Sequence, residues 1–261
     1  MELAGYLASV FVGIVLGLLG GGGSILSIPI LVYLFHIEPV LASAYSLFIV
    51  GVTSFVGAVP KYRQQLVNLR TGILFGIPSI ISIFSTRKWI VPAIPDIVWD
   101  ADGFVLTKRV LILGIFATLM VLASISMIRG KREISSDQQN FKPLLVVVEG
   151  LLIGFLTGLV GAGGGFLIIP ALVFLTGLKF KTAVGTSLFI IAINSLSGFM
   201  GDVFSSSIDW AFLLSITALA VAGIFIGNVY ASRISSIMLR KAFGWLTLVM
   251  GIWILVKETL V

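Results

Sequence analysis

Residues 17–35, GLLGGGGSILSIPILVYLF, set an uncharged apolar run against four consecutive glycines. Residues 158–176, GLVGAGGGFLIIPALVFLT, repeat the arrangement downstream. Glycine is roughly 1 kcal/mol worse than alanine in a helix interior. Two runs of that density therefore mark places where a helix is meant to break.

The surroundings of both runs are apolar. Hydrophobic residues make up 58% of the 261-residue chain and charged residues 11%, with a mean hydropathy of +1.16. A soluble domain of this length cannot cover such a core with so few charges. Long uncharged stretches at 40–60, 70–86, 109–128, 182–201, 210–232 and 242–256 read as membrane-spanning helices. The start, MELAGYLASV, lacks the basic cluster of a cleavable signal and reads as part of the first membrane element. The absence of cysteine excludes disulfides, thiolate metal sites and cysteine nucleophiles. All 17 Lys and Arg residues fall in loops or at helix ends, where they set topology. The net charge of +6 is therefore no sign of nucleic-acid binding.

Positions separated by 141 match without a gap, with 19 identities in the 45 positions from 13–57 to 154–198. The matches include Gly13/Gly154, Gly17/Gly158, Gly20/Gly161, Gly22/Gly163, Gly23/Gly164, Pro29/Pro170 and SLFI at 46–49 and 187–190. The chain thus reads as a first membrane repeat (1–128), a polar linker (129–142) and a second membrane repeat (143–261).

Loop charge orients the halves. KYRQQLVNLR (61–70) carries three bases and no acid, whereas its counterpart DVFSSSID (202–209) carries two acids and no base. Likewise HIEP (36–39) carries Glu38, while 177–181 carries Lys179 and Lys181. Positive loops stay in the cytoplasm, so the two repeats are expected to be inverted. On this reading 61–70, 129–142 and 233–241 are cytoplasmic, and 36–39, 87–109 and 202–209 are external. Segment 87–109 fits poorly, since it has four bases against three acids. Inversion needs an odd number of crossings per half. Each glycine element must then enter and leave on one side as a hairpin. One long broken span per half is the alternative, and it would give parallel repeats.

Non-helical backbone at membrane depth is tolerated only where protein buries it or it lines a cavity. The helix that restarts after a break presents free N–H groups and a positive dipole end, which attract anions without a cationic side chain. Candidate substrate-binding residues are accordingly Gly20, Gly21, Gly22, Gly23 and Ser24 in the first half, with Gly161, Gly163, Gly164 and Gly165 in the second. Gly13, Gly17, Gly154 and Gly158 form small-xxx-small patterns and are assigned to helix packing.

The twin GxxGxGGG…P elements, with the downstream AVGTSLF…NSxSG stretch (183–198), resemble the sulfite exporter TauE/SafE family, within the wider 4-toluene sulfonate uptake permease group. The likeness covers nearly the whole chain, and TRKWIVPAIPD (86–96) is similar to one branch. Departures are Ala162 in place of a glycine, and SAYSLF in the first half where the second has VGTSLF. The resemblance implies a permease for sulfite or organosulfonates, without fixing the anion or the direction of transport.

Glu149 is the only ionisable side chain inside an apolar run. An acid so placed suits proton coupling; the bland reading pairs it with Lys142 or another cytoplasmic base. Ser46, Thr53, Ser54, Thr186, Ser187, Asn194 and Ser195 supply neutral hydrogen bonds. Of these, Ser46, Thr186, Ser187 and Asn194 are taken as site-lining candidates. In VPAIPD, Pro92 and Pro95 are expected to end any helix, leaving a re-entry loop or a lid. Trp89, Trp99 and Trp210 fit interfacial anchors.

An intramembrane serine protease would need a base beside its nucleophile, yet the lone histidine, His36, lies in a loop and no Ser–Lys pair shares a span. Glu149 standing alone offers no metal site. No catalytic residue, metal or cofactor is therefore expected. The expectation is an all-α polytopic protein of the inner (cytoplasmic) membrane, an anion transporter whose partners are a small anionic substrate, the bilayer and a coupling proton or sodium ion. An anion channel, or a carrier for small carboxylates, is the alternative.

Overall fold

The computed structural model describes residues 2–101, 104–129, 143–160, 165–174, 176–203 and 208–260. Gly161, Gly163, Gly164 and linker residues 130–142 lie outside the described residues, as does the side chain of Ser24.

The chain is nearly all helical. The helices are α1 (Glu2–Leu19), α2 (Gly22–Tyr33), α3 (Pro39–Arg63), α4 (Leu69–Ser85), α5 (Val91–Ala93) and α6 (Lys108–Arg129), followed by α7 (Pro143–Val160), α8 (Gly165–Phe174), α9 (Phe180–Asp202), α10 (Trp210–Arg233) and α11 (Ser236–Leu260). Among the described residues, six stretches are long and apolar enough to cross a membrane: 41–63, 69–93, 110–129, 180–202, 210–233 and 236–257. They include every span read from the sequence, and this is a multi-pass membrane protein. Large apolar side chains such as Phe11, Phe55, Ile77, Leu122, Phe225 and Val249 are exposed on the outside of the bundle, as lipid-facing helices require.

The expected loop at 86–96 differs in detail. A π-helical turn (Thr86–Ile90) carries α4 on into α5. Pro92 follows at the start of α5, with no N–H to donate back into the π-helical turn. The helix stops at Ile94, whose extended backbone is what a following proline imposes. A two-stranded antiparallel hairpin, β1 (Ile97–Ala101) and β2 (Phe104–Thr107), completes the connection, the one sheet among the described residues.

Equivalent positions do equivalent structural work. The side chain of Asn68 caps α4 by accepting from Thr71 N–H at 3.0 Å. Asp209, 141 residues on, caps α10 by accepting from Phe212 N–H at 3.1 Å. Helix α2 ends where Ile37 N–H reaches Leu31 O at 3.0 Å, and α8 where Leu178 N–H reaches Leu172 O at 3.0 Å. The left-handed residue between them is His36 (φ 55°) in the first half and Gly177 (φ 68°) in the second.

Helices α1 and α2 form a hairpin. The ring of Phe35, just past α2, lies against Gly5 near the start of α1, while Gly23 at the start of α2 abuts Leu16 and Val12. The first glycine element therefore returns to the end it came from, which decides between hairpin and broken span for that half. Across the halves, α3 and α9 cross antiparallel, with Gly51 on Leu196 and Leu47 by Gly198. Helices α6 and α11 do the same, pairing Ile128 with Gly244 and Met120 with Gly251. Helix α1 lies along α10, and its counterpart α7 lies along α4.

The last two contacts are backbone on backbone. A Cβ on Gly13 would lie 1.9 Å from Ala220 O, and one on Gly154 would lie 2.5 Å from Ser79 O. Gly17 and Gly158 press on Ile224 and on Ile83 and Thr86 in the same way. These four glycines pack helices. Gly154→Val should therefore cost about 1–3 kcal/mol by overpacking and lower both yield and melting temperature. Gly114→Val, where a Cβ meets nothing within 4 Å, should change neither.

Candidate functional site

The site begins at the tip of the first hairpin. Gly20 adopts φ +74°, a left-handed conformation that costs an L side chain roughly 1–2 kcal/mol. Its N–H reaches Leu16 O at 2.8 Å, closing α1. Helix α2 restarts at Gly22 with Gly21 as N-cap, and no side chain caps that N-terminus. Helix α8 starts at Gly165.

The structure brings the two breaks together. A Cβ on Gly21 would lie 2.0 Å from Gly165 O, and one on Gly165 would lie 2.8 Å from Gly21 Cα. The backbones touch with no side chain between them. Helix α9 forms the wall behind: Gly20 faces Ser187 and Val184, and Gly165 faces Ile191, the twelfth of 23 residues in that helix. Gly20, Gly21, Gly165 and Ser187 thus form one cluster about half-way along the longest buried helix of the second half.

The other polar candidates divide by location. Ser187 and its counterpart Ser46 are both fully buried. Ser187 donates to Val184 O at 2.8 Å, and Ser46 shares a 2.7 Å hydrogen bond with Ser27 of α2. Asn194 donates to Ser79 of α4 at 2.8 Å. Thr186 accepts from Asn68 N–H at 2.9 Å, which pins the 64–68 connection to α9.

Near the α3–α9 crossing, Thr53 Oγ1, Ser54 Oγ, Asn194 Oδ1 and Ser195 Oγ are buried without a hydrogen-bond partner among the described residues. Thr53/Asn194 and Ser54/Ser195 are repeat-related pairs. A seam of unmet polar groups inside an apolar bundle is costly unless water or a ligand visits it. Glu149 is only 6% exposed, and both its carboxylate oxygens lack a partner among the described residues. Lys142, the base proposed to neutralise it, lies outside those residues.

Sequence reasoning missed Ser27 and Ser79, because neither has a hydroxyl counterpart in the other half. It also left unremarked a cavity of about 130 Å³ lined by Lys61 and Lys181, together with Leu18, Gln64, Leu66, Val184, Ala231, Ser232 and Leu239. Polar contacts also gather at the opposite end of the bundle. Arg87 forms an ion pair with Asp202 and donates to Ser43 at 2.6 Å, and Tyr45 accepts from Asp209 N–H at 2.8 Å.

Comparison with known proteins places this architecture. The family model described as "Sulfite exporter TauE/SafE" matches residues 6–254. The chain belongs to the sulfite exporter TauE/SafE family. Among relatives of this TauE/SafE chain, a "Probable membrane transporter protein" of Xylella fastidiosa (strain 9a5c) is 26% identical over 251 residues, covering 94% of this chain and 91% of the relative. "Probable membrane transporter protein YdhB" of Bacillus subtilis (strain 168) is 24% identical over 243 residues, covering 93% and 96%. A probable membrane transporter protein of Methanocaldococcus jannaschii is 26% identical over 237 residues, covering 86% and 83%. No solved structure matches significantly.

The Ser27–Ser46 bond is a hydroxyl pair that ties α2 to α3. Ser27→Ala or Ser46→Ala alone should cost about 1 kcal/mol by removing this hydrogen bond. The double variant should cost no more than either single. A thermal-unfolding double-mutant cycle on purified protein measures this, and strictly additive losses would deny the bond.

Proposed function

We propose that this TauE/SafE chain is a secondary transporter that moves small sulfur oxyanions, sulfite or short organosulfonates, across the cytoplasmic membrane by alternating access. The observation that carries the reading is the contact of the two glycine breaks, Gly21 on Gly165, beside the Ser187 hydroxyl. An uncapped helix N-terminus at a break supplies backbone N–H donors and a positive dipole end for an anion. The family supplies the sulfur; the donors supply the sign.

The two halves sit inverted in the membrane on this reading. The antiparallel crossings of α3 on α9 and α6 on α11 support it, as does the clustering of loops by charge. Lys61 and Lys181 line one cavity at one end, whereas Asp202 and Asp209 are held near Ser43 and Tyr45 at the other. By the positive-inside rule the end with the lysines faces the cytoplasm. Since the breaks touch, an anion enters only when they part. The Arg87–Asp202 ion pair and its bond to Ser43 hold the external end shut meanwhile. Glu149 is the coupling acid on this account, since it is buried and unpaired among the described residues.

Reconstituted into proteoliposomes, the protein should show saturable counterflow of labelled sulfite. Gly22→Val and Gly163→Val should abolish it while the protein still inserts and purifies. Glu149→Gln should abolish proton-driven accumulation and leave exchange nearly intact. Linear flux without counterflow would make the protein a channel, and preference for carboxylates over sulfonates would overturn the substrate class. Unchanged pH dependence in Glu149→Gln would remove that residue from the mechanism.

A further inference from the structure

We propose that the cavity between α3 and α9 is a binding site for a small free oxyanion reaching the protein from its lysine-rich end, separate from the glycine breaks. Lys61 lies in the last turn of α3, within a candidate span, and is only 5% exposed. It lines the cavity together with Lys181 from the first turn of α9. Neither ammonium has a carboxylate or hydrogen-bond partner among the described residues. Burying an unpaired charge costs several kcal/mol, and a second like charge on the same cavity raises the cost.

Helix polarity sharpens the point. Lys61 at the C-terminus of α3 complements the negative dipole end, so it has a structural reason to be there. Lys181 sits at the N-terminus of α9, the positive end, where a cation is disfavoured. The repeat shows what that end wants. In the first half Glu38 caps α3, accepting from Leu41 N–H at 3.2 Å. In the second half Lys179 takes the same position, makes no side-chain cap, and no acid stands in the first turn of α9. The negative group that Glu38 supplies to α3 has no equivalent on α9. A small oxyanion in the cavity would meet two ammonium groups, and the Gln64 amide from the end of α3. A volume of about 130 Å³ admits such an ion with a few waters. Along α9, Lys181, Val184 and Ser187 follow at three-residue spacing, and Val184 touches Gly20, so the cavity adjoins the hairpin tip. The claim concerns binding and holds whether or not the same anion is transported.

The test uses the absence of native cysteine. Gln64→Cys places one thiol at the cavity. In detergent without added lipid, an anionic methanethiosulfonate should label it at least about tenfold faster than a cationic one. Sodium sulfate should slow the labelling saturably, whereas sodium chloride at equal ionic strength should not. Lys61→Gln with Lys181→Gln should remove both the charge preference and the protection, and Lys61→Arg should retain them. If Lys61→Gln fails to fold, Lys181→Gln alone carries the test, with at least about a threefold fall in the rate ratio. Equal rates for the two reagents, or protection that survives in the double variant, would overturn the proposal. Protection by phosphatidylglycerol vesicles but not by sulfate would also overturn it, assigning the cavity to a lipid headgroup. Protection seen only after Glu133 and Asp137 are neutralised would assign it to the linker.

Discussion

Every backbone N–H and C=O that leaves a helix inside a bilayer must find another partner, because hydrocarbon offers none. That constraint governs the rest of this structure. The chain breaks a helix at Gly20–Gly21 and restarts another at Gly165, and it shelters both places against one another and against α9. The shelter needs close approach. Side-chain-free backbone at Gly21 and Gly165 permits it at the breaks, and Gly13, Gly17, Gly154 and Gly158 permit it where α1 meets α10 and α7 meets α4. Glycine therefore serves two ends here, and the contacts separate them. In the packing seams a glycine faces the carbonyls of an unbroken helix; at the breaks it faces another glycine.

The pairing of halves explains why neither stands alone. Helix α1 finds its long neighbour in α10 and α7 finds its own in α4, so the first helix of each repeat is clasped by the other repeat. Equivalent residues can then take different tasks. Glu38 caps a helix, and Lys179 leaves the equivalent one open. His36 and Gly177 turn the chain in the same left-handed geometry with different chemistry, which places the strain on the histidine.

Much of the fold was legible in the sequence because its signals are local or periodic. Uncharged runs mark spans, glycine runs mark breaks, and the 141-residue offset carries the Asn68 and Asp209 caps with it. The site was legible only in part. The convergence of Gly21 on Gly165 is a matter of packing across the halves. The Ser27–Ser46 and Asn194–Ser79 bonds join helices whose adjacency no spacing encodes. Lys61 looked like an ordinary helix-end base; its burial emerges only when the start of α9 closes over it. Thr186 shared a motif with Ser187, yet one residue along a helix turns a side chain by about 100°, and its hydroxyl meets Asn68 N–H instead.

The central claim is that an anion sits where the two breaks meet. The most direct measurement is the structure of the protein in lipid with selenite in place of sulfite, located by anomalous scattering. The account predicts a selenium peak within hydrogen-bonding reach of the N–H groups at the start of α2 and of the Ser187 hydroxyl, with the Gly21 and Gly165 backbones moved apart to admit it. Gly21 and Gly165 still in contact at saturating selenite, with selenium elsewhere or absent, would contradict it.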